Sequence, residues 1–147
     1  MTDQAVRSVL FLCVANSARS QMAEALAKSI FKPSIQVQSA GSQPKGVNPY
    51  AVKALAEINL STDGHHSKSI NSIDTTQVDL AITLCAEEIC PVFPNACEHI
   101  RWAFQDPDRS DPELTETERL AHFRATRNLI ADRLRAFAME RQLARTL

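Results

Sequence analysis

Cys13 and Arg19 stand apart by five small or polar residues, Val14-Ala15-Asn16-Ser17-Ala18, and Ser20 follows at once. A thiolate is a nucleophile, and a guanidinium is a permanently charged fork that grips two oxygens of an oxyanion. Together they suit displacement at a tetrahedral centre, phosphorus or arsenic, through a covalent cysteine adduct. Asp106, followed by Pro107, is a candidate to protonate the leaving oxygen. Its plain alternative is an Asx turn, since Asp-Pro is common turn chemistry. Cys85 and Cys90 form a third group, with four residues between them and Pro91 directly after.

The elements around Cys13 explain how it could be presented. Val9 to Leu12 is an unbroken apolar run and reads as a short buried strand. Met22, Ala23, Leu26, Ala27 and Ile30 recur at helical spacing. Strand, small-residue loop, helix is the order that turns backbone N–H groups into one concavity, and the helix dipole adds positive potential there. Val14, Ala15, Asn16, Ser17, Ala18, Arg19 and Ser20 are thus the candidate oxyanion-binding residues, with Cys13 beneath as a stabilised thiolate. The bland alternative is a buried cysteine with a solvent-facing arginine on the first helical turn.

The rest of the chain alternates strand and helix. Ile35 to Gln38 alternates as a strand and closes at Ser39-Ala-Gly41. Asn48 before Pro49 marks a helix start. Residues 67–77 have room for one further short helix. Val78 to Leu84 is the best central strand and ends on Cys85, and Ile100 to Phe104 is a fourth strand, ending just before Asp106. Thr115 with Glu118 is a capping box opening a long helix along Leu120, Phe123, Arg127, Ile130, Leu134 and Phe137, interrupted once in its apolar face. The pattern predicts an α/β fold with a four-stranded parallel sheet in a three-layer α/β/α sandwich, in one domain over residues 1–147. Ligands bind beyond the carboxyl ends of such strands, where Cys13, Cys85 and Asp106 all fall.

Composition narrows the function. With 147 residues and a net charge of −1, acids and bases interspersed, nothing points to a nucleic-acid partner. No run is long and apolar enough for a membrane span, and residues 1–7 do not resemble an export signal. Four cysteines in such a chain suggest a reducing cytoplasm, where thiols are catalytic or metal-binding rather than structural.

Cys13-Val-Ala-Asn16-Ser17-Ala-Arg19-Ser20-Gln-Met-Ala-Glu24 resembles the nucleophile loop of the low-molecular-weight protein tyrosine phosphatase superfamily, whose fold has a flavodoxin-like topology. Within it, Ser20 to Glu24 is more like the thioredoxin-coupled arsenate reductases. Trp102-Ala-Phe104-Gln-Asp106-Pro107 is similar to their general-acid segment. The phosphatases usually carry an aromatic after Asp-Pro, and here that position is Asp108. The resemblance implies that Cys13 attacks arsenate, that Arg19 and the loop amides hold its oxygens, and that Asp106 protonates the one that leaves. Cys85 then attacks Cys13, and Cys90 carries the oxidation outward as a Cys85–Cys90 disulfide. It implies no bound cofactor and no metal. The reductant is external, thioredoxin or glutathione with glutaredoxin, and phosphate or sulfate would compete with arsenate. A monomer is expected. Loop support falls to Asn16, Ser20, Glu24 and Ser39. Some members bind potassium there, and the Lys68 ammonium is placed to pair with Glu24 instead.

Two departures stand out: the Cys85–Cys90 spacing is short, and Ala18 replaces a cysteine that some members carry. Cys97 reads as a bystander thiol, and His65 and His66 read as surface residues of a polar loop. The first alternative function is an aryl-phosphate or protein tyrosine phosphatase using Cys13, Arg19 and Asp106. The second is a zinc or redox-sensing module on Cys85, Cys90, Cys97 and His99, whose spacings match no common zinc motif.

Overall fold

The central strand, β1 (Ser8–Cys13), has no polar face because it has no exposed face. Val9 and Phe11 join one apolar cluster while Leu10 and Leu12 join another, which is what a parallel strand covered on both sides requires. The computed structural model describes residues 6–86, 97–109 and 111–145. β1 pairs in parallel with β2 (Gln36–Gly41) on one side and with β3 (Leu80–Cys85) on the other. β4 (Glu98–Phe104) follows β3, giving the parallel order β2-β1-β3-β4. The chain moves outward from β1 to β2, then crosses back over β1 to β3. That reversal opens a crevice at the carboxyl ends of β1 and β3, where Cys13 and Cys85 end adjacent strands.

Three helices cover one face: α1 (Arg19–Ile30), α2 (Pro49–Ala56) and α3 (Glu116–Arg141). Met22, Leu26, Leu55, Phe123, Ile130 and Leu134 pack over Val9, Phe11, Leu80 and Ile82. The starts of α2 and α3 are as expected. The Asn48 side chain accepts from the Tyr50 amide, and Thr115 and Glu118 form both arms of a capping box. The polar interruption in the α3 stripe is Arg127, which is buried. Its Nη1 donates to Ala54 O at 2.7 Å and to Glu57 at 3.0 Å, fastening α3 to the end of α2.

The opposite face carries a thinner layer. Ile70, Ile73, Val78 and part of Cys97 cover Leu10, Leu12 and Ala81. The short helix expected over residues 67–77 is instead two single 3-10 turns, Ile70–Ser72 and Thr75–Gln77. The side chain of Ser69 caps the first turn and that of Asp74 caps the second, so each offers the backbone a local partner that competes with a continuous helix. The three layers hold, with unequal outer ones.

Candidate active site

Every loop carbonyl from Val14 to Ser17 is turned outward onto a fixed donor. Val14 O accepts from Gln43 N at 2.8 Å, Ala15 O from Lys45 N at 3.0 Å, and Ser17 O from Asn48 N at 3.0 Å. Asn16 O accepts from the Gln21 side chain at 3.1 Å. Peptide units are planar and trans here, so a carbonyl turned out turns the next N–H in. The amides of Ala15, Asn16, Ser17 and Ala18 therefore converge on one concavity. Ala18 at the start of α1 offers no side-chain cap, which leaves the first helical N–H groups available to an anion. Residues 42–48, between β2 and α2, serve as the hoop that turns the loop.

Asn16 is the keystone of the loop. It is fully buried and takes a left-handed backbone, φ 47°, which Asn tolerates better than most residues. Its Nδ2 donates to Ser20 Oγ at 2.8 Å and to Ser39 Oγ at 2.9 Å, and its Oδ1 accepts from Lys68 N at 2.9 Å. Ser20 Oγ lies 2.8 Å from Cys13 Sγ. Ser39 in turn donates to Glu24 at 2.6 Å. Asn16, Ser20, Ser39 and Glu24 thus meet beneath the loop as expected.

The expected Lys68–Glu24 pair does not form. Glu24 is taken by Lys28, one helical turn on, with Nζ at 2.7 Å. Lys68 supports the loop through its main chain, donating to Asn16 and accepting from Gly41 N at 2.9 Å. Burial pushes the Lys68 ammonium below its ordinary value, and the Glu24 charge only partly offsets this. A helical neighbour needs no loop to bring it into place, which is why Lys28 wins.

His65 is also corrected. Its side chain is only 4 % exposed, with Nδ1 3.1 Å from Gln21 Oε1 and Nε2 3.5 Å from Glu24. Burial pushes its imidazole below the ordinary value, against the pull of Glu24. Burial pushes Glu24 up, but hydrogen bonds from Lys28 and Ser39 and the charges of His65 and Lys28 outweigh it, so Glu24 sits low. His66 is exposed, as expected.

Gly41 was legible only as a strand end. It lies opposite Cys13 in the β1–β2 register. A Cβ there would collide with Val14 O and come within 2.9 Å of Asn16 N and Cys13 O. One of only three glycines in the chain, it marks the close approach of β2 to the loop.

Arg19 is buried and reaches the end of β4, where Nη1 donates to Phe104 O at 2.9 Å. Its Nη2 lies 3.7 Å from Asp106 Oδ2. Asp106 is half exposed, and its Oδ1 accepts from Asp108 N at 2.9 Å. One Asp106 oxygen thus makes the Asx turn while the other faces Arg19. Asn48 Nδ2 donates to Asp108 at 3.4 Å across the mouth.

Cys13 and Cys85 are both buried, at the same sheet edge. Cys90 lies outside the described residues. Cys97 is partly buried against the minor cluster, and burial pushes its thiol up, which keeps it protonated. Among the described residues, no three His, Cys, Asp or Glu side chains gather as a metal-binding group, and no helix is long and apolar enough to cross a membrane.

A cysteine under converging amides, closed by an arginine at the edge of a parallel sheet, defines the class of proteins that hold a tetrahedral oxyanion against a thiol. The family model for low molecular weight phosphotyrosine protein phosphatase matches residues 8–147, and the chain belongs to that family. An arsenate reductase of Halalkalibacterium halodurans is 40 % identical over 132 residues, covering 88 % of this chain and 94 % of the relative. The crystal structure of arsenate reductase from Archaeoglobus fulgidus is similar with a TM-score of 0.76 at 29 % identity, covering 89 % of this chain and 98 % of that one. A thioredoxin-dependent arsenate reductase of Corynebacterium glutamicum gives a TM-score of 0.71 at 25 % identity, covering 96 % of this chain and 64 % of that one.

Proposed function

We propose that this chain reduces arsenate to arsenite in the cytoplasm, as a detoxifying enzyme. The observation that carries the reading is the second thiol: Cys85 ends the strand adjacent to the one ending on Cys13, at the same sheet edge. A hydrolase that only transfers an oxyanion to water has no use for it, whereas a two-electron reduction needs two thiols. The names of the relatives support the same choice.

The steps follow from the groups in place. The Cys13 thiolate attacks arsenic and one arsenate oxygen leaves as water, protonated by Asp106, while Arg19 and the loop amides hold the remaining oxygens. Amides fixed beforehand stabilise the charge of the transition state without reorganising. Cys85 then attacks Cys13 Sγ. The sulfur–arsenic bond breaks, its electron pair stays on arsenic, and arsenite leaves behind a Cys13–Cys85 disulfide. Two thiolates have become one disulfide and arsenic(V) has become arsenic(III). Cys90 attacks Cys85, Cys13 is freed, and an external reductant clears the Cys85–Cys90 disulfide. A thioredoxin is the favoured reductant, since one similar structure is of a thioredoxin-dependent enzyme, and glutathione with glutaredoxin is the other. No bound cofactor enters, and phosphate and sulfate compete for the loop. The chain acts as a monomer. Phosphatase activity is at most a weak side reaction, because Asp108, held by Asn48, gives an aryl ring a carboxylate rather than a stacking face.

The test is arsenite release from arsenate with each reducing system, comparing wild type with Cys13→Ser, Cys85→Ser and Cys90→Ser. Turnover that stops in all three variants is expected. Aryl-phosphate hydrolysis that survives Cys85→Ser, with no arsenite from wild type, would overturn the reading in favour of a phosphatase.

A further inference from the structure

Beside Cys85 the ladder between β3 and β4 breaks. Thr83 pairs with Arg101 and Cys85 pairs with Phe104, so β4 runs three residues where β3 runs two. Such a bulge leaves the extra residue unpaired and disrupts the ladder locally. The carbonyls of Cys85 and Ala86 lie at this irregularity, at the end of β3. Both accept from one side chain: Arg101 Nη2 donates to Cys85 O at 3.3 Å and to Ala86 O at 3.3 Å. A guanidinium has donors enough to serve two carbonyls at once.

We propose that Arg101 is a positioning residue for the second thiol, its guanidinium holding the carbonyls of Cys85 and Ala86 so that the main chain of Cys85 stays at the sheet edge beside Cys13. The proposal rests on the arsenate-reducing reading and adds a residue to it. Arg101 touches none of the reacting atoms and acts through Cys85. The step it serves is the attack of the Cys85 thiolate on Cys13 Sγ, in which the sulfur–arsenic bond breaks and its electron pair leaves on arsenic as arsenite. The same bulge presents Phe104 O to Arg19, so one irregularity in β4 aligns both the oxyanion grip and the second thiol.

The experiment is a single turnover of the reduced chain, freed of reductant, in a Cys90→Ser background that halts at the Cys13–Cys85 disulfide. Arsenite release is followed at rising arsenate concentration. Losing a charge-assisted hydrogen bond predicts a fall of about tenfold in the maximal rate for Arg101→Met. The half-saturating arsenate concentration should not change, because the loop is untouched. Arg101→Lys should fall between the two, since an ammonium on a flexible stem lacks the planar fork. An unchanged maximal rate, or a change confined to half-saturation, would overturn the proposal. Should Arg101→Met fail a thermal melt, Arg101→Lys alone carries the comparison. No arsenite from the unmutated background would instead sink the arsenate-reducing reading, and Arg101's role with it.

Discussion

Two strand ends lie side by side at one sheet edge and are held to different tolerances. After β1, Asn16 is tied through its main chain and both side-chain atoms, with side-chain bonds of 2.8 to 2.9 Å in a fully buried setting. After β3 and β4, the contact of Arg101 with the Cys85 carbonyl and that of Arg19 with Asp106 are longer. Arg101 holds Cys85 O at 3.3 Å, and Asp106 is half exposed and 3.7 Å from Arg19. The difference matches the proposed tasks. Gripping an oxyanion is done best by dipoles that do not move. Delivering a proton or an electron pair needs groups that can reach water or another sulfur.

Substitutions can break that contrast. Asp106→Asn leaves the grip intact and removes the proposed proton donor, so the maximal rate of arsenite release should fall about 10²- to 10⁴-fold. The half-saturating arsenate concentration in the same titration should stay put. If it rises in step with the lost rate, the exposed strand ends share in binding and the contrast fails. Gly41→Ala attacks the fixed side. The added methyl meets Val14 O and overpacks the loop, which should cost about 1–3 kcal/mol of stability in urea melts. Arsenate binding, read by phosphate-sensitive protection of Cys13 from alkylation, should weaken with it. A variant of unchanged stability that still binds arsenate would show the loop to be softer than its hydrogen bonds imply.

The smallest effect comes from beneath the loop. Glu24 sits below its ordinary value of 4.5 when folded, so its contribution to stability is fully present above that pH. It is lost as pH falls further, through the lower folded value. Glu24→Gln should therefore be less stable than wild type at neutral pH and lose stability less steeply below pH 4.5. Urea melts across that range read the slope. Parallel curves would mean that Lys28 and Ser39 do not hold the Glu24 charge.

Much of this was legible in advance. An unbroken apolar run announced β1, a largely apolar stretch announced β3, and the caps at Asn48 and Thr115 announced two helices, because those signals act within a few residues. The arrangement of Cys13, Asn16, Ser20 and Arg19 was legible for the same reason, since one strand–loop–helix segment contains them all. Contacts between distant segments were not. Lys28 rather than Lys68 pairs with Glu24, and His65 is packed inside rather than displayed. The loop of residues 42–48 proves to be a hoop of donors. Arg101 looked like one more polar residue on an alternating strand.

Sequence alone determined which chemistry the chain carries: a thiol and a guanidinium at loop spacing, a carboxylic acid after a strand, and a second thiol at another strand end. Residue types and short-range spacing fix nucleophiles and donors, because those properties belong to the side chains themselves. The tertiary structure decided which groups hold them still. Charge pairing beneath the loop, the glycine that lets β2 approach and the bulge that puts Arg101 on Cys85 depend on which backbones meet. That is settled by sheet register and crossover path, which no local stretch of sequence contains.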